Sequence, residues 1–368
     1  MARLTSAAIA CLAGALSGST GAFAADEAAA PAEEVFPYVE LELETTLGDD
    51  FTFRSDDPGA EINDLFPEGA LSVKIGLTQV FSINAGLTLE PVRDPEPFED
   101  RVFRDIGLYV DTLNLQADVG DLSLVAGKFG PGFGRAWDNT PGIYGTSFAE
   151  DYELSEQIGL GAAYAFTGAW GTHTLGANVF FADTTALSDS LFARRGRLST
   201  ADGGAGNTGR LDNVSLTLDG GEFATLPGFS YHLGYRRLSP GDGDAAAEHG
   251  FVAGLAQETE LSGGSTLGLN GEVAHFVNQG GGLDDVTYLT GGASLANGPW
   301  HGELAASLRR VAFDGGGGRS DALGQVSGGY TFDNGIDVSF GYAVARAEDV
   351  TSHTLGLRLA KTFSYSSR

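Results

Sequence analysis

Much of the chain repeats with a period of two residues. Val39, Leu41, Leu43 and Thr45 alternate with Tyr38, Glu40, Glu42 and Glu44, and Leu71, Val73, Ile75 and Leu77 alternate with Ser72, Lys74, Gly76 and Thr78. The spacing recurs in Ile158, Leu160, Ala162, Tyr164 and Phe166, in Phe229, Tyr231, Leu233 and Tyr235, and in Ile336, Val338, Phe340, Tyr342 and Val344. A period of two sends successive side chains to opposite faces of a strand, so each run is apolar on one face and polar on the other. About sixteen such strands can be placed, with fourteen to eighteen bounding the count, which excludes a mainly helical fold.

Alternation alone would suit a soluble sandwich as well as a barrel. The connections decide between them. Every second one is tight, as at Gly120, Gly263-Gly264, Asn297-Gly298 and Asn334-Gly335, and Asn-Gly supplies the positive φ angles of short hairpins. The others are longer and more polar, predicted at 47–68, 91–103, 130–154, 183–210, 238–248, 278–284, 314–320 and 347–351. Short turns at one rim and long loops at the other, on an even number of two-faced strands, predict a transmembrane antiparallel β-barrel with periplasmic turns and external loops.

Composition agrees. The 55 glycines among 368 residues come without a collagen period, and the barrel assigns them to turns and to inward positions such as Gly159, Gly161, Gly176, Gly234, Gly341 and Gly356, where a missing side chain keeps a lumen open. The net charge of −28, with only three lysines, argues against nucleic acid as a partner. At the N-terminus, Arg3, the apolar stretch from Ala7 to Leu16 and Ala22-Phe23-Ala24 predict a secretory signal peptide over residues 1–24. A lipoprotein cleavage before Cys11 is the rival reading. Residues 25–35 form an acidic leader, and residues 36–368 the barrel. Removing residues 1–24 takes away the only Cys and the only Met. Thiol chemistry and Cys-ligated metal are then excluded.

The segment Leu122-Ser-Leu-Val-Ala-Gly-Lys-Phe-Gly-Pro-Gly-Phe-Gly134 and the following Asp151-Tyr-Glu-Leu-Ser-Glu-Gln-Ile-Gly-Leu-Gly161 resemble a strand, loop entry and loop exit of the phosphate-selective (O and P type) porins and the legiobactin-type siderophore porins. The match covers 121–161. The chain departs from the pattern in having Gly-Phe-Gly after the Pro, and it lacks a Lys-rich character. The resemblance implies a gated or size-selective outer-membrane channel. A second partial likeness lies at the C-terminus, where Leu355 to Phe363 resembles the aromatic-ended last strand read by the barrel-assembly machinery, although Ser364 to Arg368 extends past it.

The third long loop, 130–154, folds inward in sixteen-stranded porins as a family. Its aromatics Trp137, Tyr144, Phe148 and Tyr152 suit packing against a wall, and Arg135, Asp138, Glu150 and Asp151 would set charge at a constriction. An exposed external loop is the plainer reading. Inward ionisable residues would be Glu40, Glu42, Glu44, Lys74, Arg236, Glu303, Arg309 and Arg358, whose rows either select solutes by charge or neutralise one another. Arg194, Arg195, Arg197 and Arg210 in the fourth long loop are candidates for capturing an external anion or lipopolysaccharide, against a solvated loop whose arginines pair with acidic neighbours.

Six scattered histidines and the absence of G-x-S-x-G, H-E-x-x-H or P-loop patterns predict no catalytic residues, no metal site and no cofactor. About eleven residues separate Ala24 from Phe36, too few for the plug of an active receptor. The expectation is a porin in the outer membrane of a Gram-negative bacterium, a homotrimer contacting lipid and lipopolysaccharide, that passes small hydrophilic solutes passively. Two alternatives are a substrate-specific channel for a siderophore or other anionic ligand, and a structural or adhesive barrel with a closed lumen.

Overall fold

A computed structural model describes residues 35–368. The predicted signal peptide, Cys11 and all of the acidic leader except Val35 lie outside the described residues.

Sixteen antiparallel strands form a closed barrel. They are β1 (Tyr38–Ser55), β2 (Asn63–Gly76), β3 (Phe81–Pro91), β4 (Ile106–Val119), β5 (Leu122–Phe129), β6 (Gln157–Gly168), β7 (Gly171–Ala182), β8 (Asn213–Gly221), β9 (Phe229–Leu238), β10 (Glu248–Leu261), β11 (Ser265–Val277), β12 (Asp285–Asn297), β13 (Trp300–Ala312), β14 (Gly318–Thr331), β15 (Ile336–Ala347) and β16 (Val350–Ser366). Each pairs with its sequence neighbours. The seam closes where β1 meets β16, in a register that sets Asp50 opposite Gly356 and Gly48 opposite Arg358. Closure leaves no unpaired sheet edge, the condition for strands to cross lipid.

The predicted alternation of connections holds with two departures. The turn after β8, residues 222–228, is long for the short-turn rim. The last connection at the opposite rim shrinks to Glu348-Asp349, with φ of 53° and 64°. Positive φ at both central residues is the geometry of a two-residue hairpin. We number the loops at the long-loop rim L1 (56–62), L2 (92–105), L3 (130–156), L4 (183–212), L5 (239–247), L6 (278–284), L7 (313–317) and L8 (348–349).

The predicted loop over 47–68 is a correction. β1 continues to Ser55 and β2 starts at Asn63, so of the acidic residues in that stretch Asp49, Asp50, Asp64 and Glu68 lie on strands. Polar residues break the apolar count here, yet the ladder persists because partners meet them. Arg101 from L2 reaches Asp64 at 2.7 Å, Arg358 reaches Asp50 at 2.7 Å, and Asn63 donates to Asp49 at 2.8 Å.

The apolar face of the alternation points outward. Leu43, Leu47, Leu113, Leu115, Leu304, Leu308, Leu357 and Leu359 are all exposed. A contiguous apolar belt of this kind marks a lipid-facing surface. Aromatic residues flank it: Trp300, Tyr330 and Phe332 meet edge to face in series near the short-turn rim, with ring centroids 4.8 and 4.9 Å apart, while Phe53, Tyr342 and His353 cluster near the long-loop rim.

The buried core therefore lies inside the barrel. It consists of Phe180 on β7 and the inward faces of β9 to β15 packed against L3. β5 is short because the chain turns away after Phe129, which leaves the upper edge of β4 without its neighbour. Leu191-Phe192 of L4 fills that gap by pairing with Gly107-Leu108. Lys128 is buried at this junction, held by Glu156 at 2.8 Å and Asp183 at 2.7 Å.

Candidate functional site: a loop clamped inside the barrel

L3 folds inward and is fastened to the wall along much of its length. At its root, Glu272 on β11 accepts from the backbone N–H of Arg135 (2.7 Å), the N–H of Ala136 (3.2 Å) and the hydroxyl of Tyr152 (2.7 Å). His232 on β9 fixes the same turn. Its Nε2 accepts from Gly134 N–H at 3.1 Å, which places the ring proton on Nδ1, 2.8 Å from Asp219. Arg135 reaches Asp219 at 2.8 Å as well.

Along the loop, Asn270 donates to the carbonyl of Asn139 at 2.8 Å and Gln325 to that of Pro141 at 3.0 Å. Tyr144 donates to Asp50 at 2.6 Å, a carboxylate that Arg358 also grips through both terminal nitrogens, at 2.7 and 3.1 Å. On the return, Asp151 takes Arg309 at 2.6 Å and the hydroxyl of Tyr288 at 3.1 Å, and Arg236 donates to the carbonyl of Tyr152 at 2.6 Å while pairing with Glu248 at 2.7 Å.

Apolar packing reinforces these links. Phe133 and Tyr152 of L3 interleave with Phe276 and Tyr288 of the wall, with centroids 5.1 to 6.3 Å apart. Aromatic pairs at this spacing contribute about 0.5–1.5 kcal/mol each beyond their burial. The Arg236 guanidinium lies 4.7 Å from the Phe133 centroid and 4.6 Å from that of Phe276.

Inward glycines make room for L3 rather than for an empty lumen. A Cβ on Gly356 would come within 2.4 Å of the Tyr144 hydroxyl, and one on Gly292 within 2.4 Å of Pro141. Gly341 faces Ile143 and Gly234 faces Phe133. Gly159, Gly161 and Gly176 instead sit against neighbouring strands.

All eight ionisable wall residues singled out from the sequence face the barrel interior, but they divide by location. Arg236, Arg309 and Arg358 lie behind L3, bound to it or to the carboxylates that hold it. Glu303 is near the short-turn rim, where it and Asp337 flank His301 at 2.5 and 2.9 Å. Glu40, Glu42 and Glu44 of β1 and Lys74 of β2, which is opposite Glu40 in register, remain partly exposed inside the barrel. Of the L3 residues, Arg135 and Asp151 are tied to the wall, Glu150 accepts from Thr146, and Asp138 on the short helix Ala136–Asn139 lies within electrostatic reach of Glu44.

The four L4 arginines do not converge. Arg194 pairs with Asp189, Arg195 with Glu156 while lying 3.7 Å over the Tyr109 ring, Arg210 with Asp212, and Arg197 donates to the carbonyl of Thr184. Sequence reasoning missed the wall anchors Asp50, Asp219, His232, Glu272 and Gln325. The available signal was a charged or amide side chain at an inward position of a strand, since such a group needs a partner inside the barrel.

L3 divides the interior unevenly. The inward residues beneath it, such as Thr290, Ser307 and Asp321, are no more than 2% exposed, whereas Glu42, Glu44, Ser72, Lys74, Asn84 and Gln116 on β1 to β4 keep part of their surface. These partly exposed residues lie in the short-turn half of the strands, whereas Asp50, Glu68 and Thr88 nearer the long-loop rim of the same wall are buried.

A closed sixteen-stranded barrel with its third long loop folded inside is compared most directly with solved structures. The chain has the fold of the outer-membrane porins. It is similar to OmpF of Salmonella typhi, solved in complex with daunomycin (TM-score 0.61, 12% identity, covering 88% of this chain and 97% of that one). It is similar also to the outer-membrane channel DcaP of Acinetobacter baumannii (0.56, 11%, 89% and 96%) and to the trimer form of OmpT, an outer-membrane protein of Vibrio cholerae (0.51, 9%, 88% and 99%). At such identities the likeness is one of fold. No family model matches the sequence, and no curated protein matches it.

Proposed function

We propose that the protein is an outer-membrane porin through which small hydrophilic solutes diffuse passively, with L3 setting the width of the passage. The observation that carries this reading is the clamped loop together with the polar, partly exposed wall of β1 to β4 that it faces. A lumen closed for a purely structural role would bury that wall as it buries the opposite one. The reading as a channel for a siderophore or other anionic ligand needs external arginines free to bind it, and three of the four in L4 are ion-paired while Arg197 is bound to a carbonyl. The same proposal includes secretion by an N-terminal signal peptide, insertion into the outer membrane of a Gram-negative bacterium, and assembly as a homotrimer, the form in which OmpT of Vibrio cholerae was solved. Purified protein in a planar bilayer should give discrete conductance steps. A barrel that inserts but passes no current under any voltage or salt would remove this reading.

A further inference from the structure

The outer surface of the barrel carries a charge pattern opposite in sign to the composition of the chain. On β9 to β13 the exposed apolar residues Leu233, Phe251, Val273, Leu289 and Leu308 face outward. By the same parity, so do the residues two positions nearer the long-loop rim, or four positions on β9. Those positions hold Arg237, His249, His275, Thr287 and Arg310. The chain has 49 acidic side chains against 21 basic ones. Yet among the described residues the one carboxylate at an outward position of β9 to β13 is Asp285, which accepts from the N–H of Asn278 at 3.2 Å. Glu248, Glu272 and Glu303 of the same strands point inward.

Register joins the outward residues into one row. Arg237 is directly opposite His249, His275 is opposite Phe251 and Thr287, and Thr287 is opposite Arg310. His275 Nδ1 lies 2.9 Å from the Thr287 hydroxyl, and His249 Nδ1 lies 3.0 Å from the Tyr235 hydroxyl. With strands about 4.8 Å apart, the row spans roughly 19 Å of the wall.

Its two arginines hold no carboxylate. Arg310 is exposed, and no hydrogen bond, ion pair or ring contact among the described residues reaches its guanidinium. Arg237 donates to the carbonyl of Asp212 at 3.3 Å and to the hydroxyl of Ser239 at 2.9 Å. The carboxyls of the loops above are turned elsewhere: Asp244 accepts from the backbone N–H groups of Gly241 and Gly204, and Asp284 from that of Asp314.

Below the row the surface is apolar. Tyr235 and Phe251 meet with centroids 5.2 Å apart, each one outward position short of Arg237 and His249. Aromatic side chains at a barrel rim mark the level where acyl chains give way to headgroups. Guanidinium groups one step farther out stand at the depth of lipid phosphates, with which they pair bidentately. A free phosphate would leave the apolar surface below it uncovered, whereas a lipid engages both with one molecule.

We propose that Arg237, His249, His275 and Arg310 form a binding site for the phosphorylated headgroup of a lipid of the lipid A class, whose acyl chains lie along Phe251, Val273, Leu289 and Leu308. This rests on the outer-membrane reading above and adds a ligand on the lipid side of the wall, away from L3 and the lumen.

The test measures binding of diphosphoryl lipid A to the detergent-purified protein by native mass spectrometry. R310Q removes a side chain that holds nothing in the structure, so the barrel should fold as before. It should bind the lipid about fivefold more weakly, the worth of one basic residue beside an anionic lipid, and R237Q/R310Q more weakly again. K361Q removes an outward cation from the short-turn half of β16, where Lys361 donates to the carbonyl of Asn334, and should bind as the unmodified protein does. Dephosphorylated lipid A should bind weakly throughout, and equimolar inorganic phosphate should not displace the diphosphoryl lipid. Equal affinity in R310Q and the unmodified protein would overturn the site. Equal binding of the dephosphorylated lipid would overturn the role of the phosphate, and displacement by inorganic phosphate would overturn the lipid as its source. Lipid binding by a protein that gives no conductance steps would leave this site standing and remove the channel. Failure of the protein to insert into any bilayer would remove the outer-membrane reading, and the site with it.

Discussion

The hydroxyl of Tyr152 donates to Glu272 at 2.7 Å across 120 residues of sequence, and the same carboxylate accepts two backbone N–H groups at the other end of the loop. One side chain on β11 thus ties both ends of L3 to the wall. Removing it in E272A strands three donors, of which the Ala136 N–H and the Tyr152 hydroxyl are buried and cost about 1–3 kcal/mol each. E272A should lower the heat stability of the barrel on semi-native gels and make single-channel current noisy. Y152F removes one bond, worth about 1 kcal/mol, and should give the milder version of both effects.

The inward glycines give a test with its own control. In G356V the new side chain meets the Tyr144 hydroxyl, so the outer part of L3 must shift and single-channel conductance should change. A Cβ on Gly324, also on a barrel strand, meets nothing within 4 Å. G324A should leave conductance at the unmodified value.

Two loop carboxyls make L3 sensitive to pH. Burial pushes Glu150 up to about 8, with Glu153, Asp151 and Glu68 adding to the shift and the Thr146 hydroxyl opposing it. Burial pushes Glu153 up to about 7, helped by Glu90, Asp138, Glu156 and Asp111. Because the folded values lie above the ordinary carboxyl value of about 4.5, the folded loop holds protons that the unfolded loop has released. The stability these groups contribute is full below about 4.5 and is lost as pH rises through about 7 to 8. L3 should therefore be docked most firmly in acid, and current fluctuations should increase between pH 6 and pH 9. In E150Q/E153Q that increase should disappear.

Adjacent arginines in L4 should differ in effect. Arg195 is partly buried against Glu156 and the Tyr109 ring, at the point where L4 patches the wall. R195A should lower the thermal midpoint of the barrel measurably. Arg194 pairs with Asp189 at the surface, where ion pairs contribute about 0–1 kcal/mol. R194A should leave the midpoint near that of the unmodified protein.

The barrel and its strand count were legible because alternation is local: Leu41, Leu43 and Leu47 announce a lipid face within a few residues. The inward placement of Glu40, Glu42, Glu44, Arg236 and Arg358 follows from the same parity. The reach of β1 and β2 was hidden, since Asp50 and Asp64 read as loop until their arginine partners are placed. The clamp was hidden for a related reason. Asp50, His232, Glu272 and Gln325 gain their meaning only from register, which brings them beside a loop roughly 90 or more residues away in sequence. The role of Gly356 was also invisible, because the group that occupies its space belongs to L3.

Asp50 stands on the first strand of the barrel and Arg358 on the last, and both close on Tyr144 where β1 and β16 meet. That anchor does not exist until the two ends of the chain have come together. The outer part of L3 is therefore seated only once that seam is closed, and a barrel with its seam open lacks that restraint on the loop.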